Sequence, residues 1–325
     1  MRLKLVPNVT KIDFFGYQKL TFGLSLGAIV LSIIAFFGIG LNYGIDFRGG
    51  SMLMAETVET VDIAGIREIL GGLNIGDTSV TEISDPAADL TGAAKNAVMI
   101  RVEQTGDDPE IQNDTIVAVK EALAAKFAGI KFLATESVGA KVSGELVQAG
   151  IIAVLLAVAA VLFYIWLRFE WQFSVGAVAA LIHDVILTIG IFSVLSIEFN
   201  LSIIAALLTI VGYSLNDTVV VFDRVRENLR KFKKTGLVDV LNMSINQTLS
   251  RTLMTSGTTL LALIALYVLG GEVIRGFTFA MIWGVIVGTY SSVFVASAIL
   301  LRLGVKRDWD KTSGAAGTQF ANIDA

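Results

Sequence analysis

Residues 201–222 read LSIIAALLTIVGYSLNDTVVVF. The run is apolar and long enough to cross a bilayer, which takes about 20 helical residues. It carries one carboxylate, Asp217. A carboxylate at that depth is penalised by roughly 2.5–3.5 kcal/mol on insertion scales. Chains keep such groups rarely, and chiefly to move ions or protons. Working outward, the apolar run before it holds His183 and Asp184, and Arg251 stands at the boundary of the run after it. These few ionisable groups at membrane depth carry most of the functional information.

Bulk composition agrees with that reading. Of 325 residues, 54% are hydrophobic and 17% charged, and the mean hydropathy is +0.72. A soluble chain carries about 25% charged residues. The chain therefore reads as an α-helical polytopic membrane protein. Six candidate transmembrane helices lie at about 20–41, 146–167, 174–196, 201–222, 253–269 and 277–301. The first could pass for a signal peptide, but its apolar core is too long and no small-x-small cleavage site follows, so a retained anchor is expected. Pro7, Pro86 and Pro109 all fall outside the spans, so any break within one must come from glycine or serine. The absence of cysteine excludes disulfides and thiolate chemistry. A single histidine argues against a His-rich metal site. No catalytic residue, metal or cofactor is expected.

Lys and Arg near span ends set the orientation. Arg2, Lys4, Lys11 and Lys19 precede the first span. Arg224, Arg226, Arg230, Lys231, Lys233 and Lys234 follow the fourth, and Lys306, Arg307 and Lys311 follow the sixth. The expected plan is a cytoplasmic N-terminus (1–19), the first helix (20–41) and an exported domain (42–145). A five-helix bundle (146–302) with a basic cytoplasmic loop (223–250) and a cytoplasmic tail (303–325) complete it. The formal net charge of −4 matters less than its distribution. In the exported insert, carboxylates outnumber basic residues by about two to one, which fits a solvated domain and no nucleic-acid surface.

That insert is long enough to fold alone. Residues 51–58 read as a strand, and Asp62 is placed to cap a helix presenting Ile63, Ile66, Ile69 and Leu70. Residues 77–83 and 97–103 alternate like strands, joined by a loop containing Pro, Gly and Asp. Pro109 then opens a helix through Ile116, Val119, Leu123 and Phe127, and 131–138 closes as a strand. This β-α-β-β-α-β order is the ferredoxin-like α+β pattern.

The membrane residues are best weighed together. Asp217 lies about four turns into its span, ~9 Å to the cytoplasmic side of the midplane. Arg251, at the start of the fifth span, can reach along the membrane normal to pair with it if the helices adjoin. A structural ion pair, or an arginine snorkelling to headgroups, is the plainer alternative. His183 and Asp184 sit near the centre of the third span, either as a satisfied core pair or as a protonation site. Ser214 and Tyr213 lie three and four residues before Asp217, on its face. Thr255, Ser256, Thr258 and Thr259 crowd the fifth span; hydroxyls there relay protons or bind helices together. Gly284 and Gly288 have the spacing of a close-packing face.

Two proteolytic readings fit poorly. Asp184 and Asp217 could form an intramembrane aspartyl dyad, but Gly212-Tyr213-Ser214-Leu215-Asn216-Asp217 lacks the G-x-G-D of such enzymes. Ser214 and His183 could form a rhomboid-like dyad, but Leu215 replaces the small residue expected after the serine.

Gly44-Ile45-Asp46-Phe47-Arg48-Gly49-Gly50 looks like a G-I-D-F-x-G-G signature. Leu181-Ile182-His183-Asp184-Val185, the stretch from Val211 through Asp217 to Asn228, Ser244-Ile245-Asn246-Gln247-Thr248-Leu249-Ser250-Arg251-Thr252 and Gly288-Thr289-Tyr290-Ser291-Ser292 follow in order. In these blocks the chain resembles the SecF family of bacterial protein-export membrane proteins, within the RND superfamily. The resemblance implies a multi-pass inner-membrane protein with both termini cytoplasmic and SecD as its partner half. It further implies work with the SecY/SecE/SecG translocon on a translocating preprotein, with YajC and YidC as candidate further partners. Protons would be the coupling ion, carried by Asp217 and Arg251, with Asp184 a weaker transfer and His183, Tyr213, Ser214 and Asn216 in support. A half-transporter for lipids or small molecules, or a non-catalytic membrane assembly scaffold, is the alternative expectation.

Overall fold

The computed structural model describes residues 10–58, 61–73, 75–83, 96–103 and 109–305. The expected Pro/Gly/Asp loop, the extreme N-terminus and the basic tail lie outside these residues. Six helices are long and apolar enough to cross a membrane. The first five are Gln18–Gly38, Ala140–Arg168, Trp171–Leu195, Leu201–Lys231 and Leu237–Leu269. The sixth starts as Glu272–Ser291, passes through a π-helical turn, Ser292–Ala296, and ends as Ser297–Leu303. The break follows the serine pair Ser291–Ser292, consistent with the absence of proline from the span.

Between the first and second membrane helices lies a four-stranded antiparallel sheet. Its strands are β2 (Gly50–Thr57), β3 (Thr78–Ile83), β4 (Asn96–Glu103) and β5 (Lys131–Val138), in the order β3-β4-β2-β5. Helices Ile63–Gly72 and Pro109–Lys126 cover one face. Alternation puts Leu53, Ala55, Val80, Val98, Ile100 and Val102 on that face, against Ile66, Leu70, Ile116, Val119 and Leu123. The Asp62 carboxylate accepts the Gly65 N–H at 2.9 Å, capping the first of these helices. This is the ferredoxin-like arrangement expected from the sequence.

Two expectations need correction. The segment 223–250, read as a basic loop, is mostly helix. The fourth helix runs on to Lys231 and the fifth starts at Leu237, leaving only 232–236 between them. At 31 residues the fourth helix is about 46 Å long, well over the hydrocarbon thickness. Its projecting turns persist because Phe222, Val225 and Leu229 bury against Val240, Leu241 and Ile245, leaving the charges on other faces. Asn228 Nδ2 adds hydrogen bonds to Ser244 Oγ and Gln247 Oε1, both 2.9 Å. In consequence Arg251 does not begin the fifth helix but lies well inside it. The second helix likewise starts at Ala140, ahead of the expected 146.

Glycine sets the closest helix approach. Any Cβ at Gly284 would fall into the Ile210 side chain, and one at Gly288 would stand 3.0 Å from the Ser214 Cβ. The expected close-packing face of the sixth helix is thus the one that meets the fourth. On the side of the hairpin, residues 10–16 form a strap along the fifth helix. Asn246 exchanges hydrogen bonds with the Ile12 backbone at 2.9 and 2.8 Å, and Asn242 holds the Phe14 N–H and Asp13.

Candidate proton site in the helix bundle

Two buried aspartates lie in separate polar clusters of the bundle. Asp184, on the third helix, is 1% exposed and fully engaged. Its Oδ1 meets His183 Nδ1 at 2.9 Å. Its Oδ2 accepts the hydroxyls of Ser214 at 2.6 Å and Ser291 at 2.8 Å. The third, fourth and sixth helices are therefore joined at one carboxylate. The His183 ring stacks on Tyr290, 6.1 Å between centroids, and its Nε2 has no partner. Tyr290 in turn ties the sixth helix to the first through the Thr21 carbonyl and Ser25.

Asp217, on the fourth helix, is 3% exposed, and its Oδ2 has no hydrogen-bond partner. Ser256 of the fifth helix stands beside its carboxylate. Ser256 also shares a 2.7 Å hydrogen bond with Thr289 of the sixth helix and accepts one from Tyr213 at 3.4 Å. One turn before Ser256, Thr252 is buried with its hydroxyl unpartnered. Asp217 thus combines low solvent exposure, an open acceptor site and a ring of hydroxyls. Such an arrangement can take up and release a proton without a metal. Among the described residues no cluster of three His, Cys, Asp or Glu side chains has metal-binding geometry.

The structure sorts the expected residues. Tyr213 and Ser256 join the Asp217 cluster. Ser214, one turn before Asp217, serves Asp184 instead, because the helix turn places its hydroxyl toward the third helix. That bond also removes Ser214 from a Ser–His dyad, since its hydroxyl donates to the aspartate and not to His183. Arg251 is exposed and, among the described residues, makes no ion pair with Asp217, although it lies near enough for its charge to act there. Asn216 is exposed on another face of the helix and joins neither cluster. Sequence reasoning gave no role to Ser291 or Thr289, which link the sixth helix to the two aspartates. Their signal was the consecutive hydroxyl run Thr289-Tyr290-Ser291-Ser292 in an apolar span.

One side of the bundle is polar where it is uncovered. On the fourth helix Ala205, Thr209, Gly212 and Asn216 are exposed at helical spacing. On the fifth, Arg251, Thr258 and Ala262 are exposed, interleaved with Met254 and Leu261. Such stripes of small and polar residues suit contact with further helices or with water, not with acyl chains.

Comparison with known proteins converges on one family. Residues 118–306 match the family described as protein export membrane protein SecD/SecF, C-terminal, and residues 34–53 match the SecD/SecF GG motif. The protein translocase subunit SecF of Cereibacter sphaeroides is 52% identical over 324 residues, covering 100% of this chain and 99% of that one. The corresponding subunit of Rhodobacter capsulatus is 49% identical over 316 residues, 95% of this chain and 94% of the other. A protein translocase subunit SecDF from Brucella abortus is 45% identical over 94% of this chain, which spans only 39% of that longer protein. The crystal structure of SecDF from Thermus thermophilus superposes with a TM-score of 0.80 at 34% identity, covering 92% of this chain and 39% of that one.

Proposed function

The chain belongs to the SecF family of protein translocase subunits, and on that premise we propose that it is the proton-driven half of a SecD–SecF pair. The pair uses the proton motive force to assist preprotein passage through the Sec translocon of the inner membrane. The observation that carries this reading is the buried, half-satisfied carboxylate of Asp217 among hydroxyls of three helices. The longer SecDF relatives, of which this chain spans 39%, support a partner half. The uncovered polar stripes on the fourth and fifth helices offer it a contact surface.

One elementary charge crossing 100 mV is worth about 2.3 kcal/mol. That biases a two-state motion of similar free-energy difference, provided protonated Asp217 favours one of the two states. Arg251, which makes no ion pair among the described residues and lies on the uncovered side, is placed to approach Asp217 in one state and withdraw in the other, switching the preference of the carboxylate for its proton. Asp184, bonded to His183, Ser214 and Ser291, ties the third, fourth and sixth helices to one another.

The test uses inverted membrane vesicles carrying the chain with its partner. Asp217→Asn keeps the shape but cannot titrate, so it should assemble normally yet lose stimulation of export by the proton motive force. Arg251→Lys should be less impaired than Arg251→Met, because it keeps the charge and loses only the guanidinium fork. Full stimulation by Asp217→Asn at normal protein levels would refute the proton-carrier role.

A further inference from the structure

The fourth helix, which bears Asp217, has an unusual start. Its N-cap residue, Asn200, makes no capping bond with its own side chain, which accepts the Ser202 hydroxyl instead. The cap comes from far away in the chain. Asp46 Oδ2 accepts the N–H of Leu201, the first residue of the helix, at 2.9 Å. Asp46 belongs to Gly44-Ile45-Asp46-Phe47-Arg48-Gly49-Gly50, whose centre forms the short helix Ile45–Arg48 leading directly into β2 of the exported sheet. A carboxylate at a helix N-terminus also meets the positive end of the helix dipole.

Other bonds close the same joint. Strand β1 (Asn42–Tyr43) pairs in parallel with β6 (Glu198–Phe199), just before the fourth helix. The Gly44 N–H donates to the Phe199 carbonyl at 2.8 Å, and Asn42 Nδ2 to the Ser196 carbonyl at 3.1 Å. Tyr43, Phe47 and Phe199 pack their rings 5.8–6.4 Å apart. Arg101 of β4 forms an ion pair with Glu198, and Ser143 of the second helix donates to the Ile45 carbonyl at 3.2 Å. Gly44 is tightly enclosed, since a Cβ there would stand 3.1 Å from the Asn200 Cβ. From Leu201 to Asp217 the helix is a continuous rod about 24 Å long.

We propose that Asp46 is the positioning residue that couples the proton site to the exported domain: by capping the fourth helix from the short helix that leads into the domain's sheet, it makes helix and domain move as one body. The proposal rests on the proton-driven reading above. In it, a shift of the fourth helix on protonation of Asp217 is delivered to the sheet through the Asp46–Leu201 bond. Asp46 touches neither the proton nor the translocating chain.

A residue of this kind has a distinct signature, which is slip. The complex with its partner half and the translocon is reconstituted in proteoliposomes, and proton flux and stimulated export are read side by side. Asp46→Ala should keep flux within about twofold of wild type and lose stimulation about tenfold, the factor one lost N-cap is worth. Asp46→Asn, which retains an acceptor oxygen but not the charge, should fall between the two. A second readout does not depend on transport. Spin labels at Ala124→Cys in the exported domain and Thr235→Cys in the hairpin should give a narrow distance distribution in the parent and a broad one with Asp46→Ala. Flux and stimulation falling in equal proportion, or a distance distribution unchanged by Asp46→Ala, would overturn the proposal. If Asp217→Asn retains full stimulation, the proton-driven reading has failed, and the distance measurement still decides whether Asp46 joins the two bodies.

Discussion

Substituting alanine at Gly284 puts a methyl group where the Ile210 side chain already lies. Ile210 is 1% exposed and packs in the outer core of the bundle, so it has little room to retreat. Overpacking of this kind costs about 1–3 kcal/mol. The reverse change, Ile210→Ala, removes a buried side chain and opens a cavity, at about 2–5 kcal/mol. Combined, the new methyl projects into the space that Ile210 has vacated. The double variant should therefore be more stable than the sum of the single effects predicts, by ~1–2 kcal/mol, within the usual range for contacting residues. The assay is reversible unfolding in mixed micelles, read by fluorescence from a single label on the hairpin. Ile210 is two turns, about 10 Å, from Asp217, so the cycle also reports on the packing of the helix that carries this carboxylate. Additivity within ~0.5 kcal/mol would mean that the two residues do not touch in the folded protein, and the fourth–sixth helix contact would be wrong.

Further outcomes follow from other parts of the molecule. Residues 50–138 expressed alone should give mixed α/β circular dichroism and a cooperative melt, because the sheet and its two helices have their own core; a gradual melt would show that the domain depends on the membrane helices. Cysteine at Ala124 should label from the exported side and cysteine at Thr235 only from the cytoplasm, with the reverse pattern overturning the topology. The Asn242 amide and then the Gly16 N–H hold the Asp13 carboxyl below its ordinary value of 3.8. A lowered value means that this contribution is present above the ordinary carboxylate range and is lost as pH falls through the lowered one. A spin label at Ile12→Cys should therefore gain mobility only on the acid side of about pH 4, and Asp13→Asn should flatten that response.

The sequence made the spans and the domain between the first two of them legible because both have strong periodic signals. Runs of apolar residues mark the helices, and alternation in Ala97–Val98–Met99–Ile100–Arg101–Val102 marks a strand buried on one face. The projecting hairpin was hidden for the same reason. Its Arg and Lys residues dominate the local composition, while the three apolar positions of the fourth helix that bury it are spread over about two turns. Asp217 stood out because a charge in an apolar run is costly wherever it sits. What surrounds it was not legible, since a helix gives no sign of which neighbour each face will meet. Ser214 was assigned to Asp217 by spacing along one helix, yet its hydroxyl is taken by Asp184 from another. The Asp46–Leu201 cap joins residues 155 positions apart, beyond any local pattern.

The contrast between the two aspartates bears on how the bundle could change state. Asp184 is engaged at both oxygens, by His183 of its own helix and by hydroxyls of two others, so altering its surroundings means breaking bonds to the fourth and sixth helices at once. Losing a partner and leaving a buried polar atom unsatisfied costs about 1–3 kcal/mol, which makes that junction a poor place for a switch. Asp217 has an oxygen with no partner among the described residues, so its shell can rearrange at lower cost. The sixth helix reaches both sites, through Ser291 at Asp184 and through Thr289 and Ser256 at Asp217. Immediately after those residues it turns π-helical, a local widening that is found often at functional sites. The fourth and fifth helices each keep an uncovered face near Asp217. Those faces carry Arg251, the one strong cation within electrostatic reach of Asp217 among the described residues, and it stands on the fifth helix, which among those residues makes no bond to Asp184, so Arg251 can move while the Ser214–Asp184 bond holds.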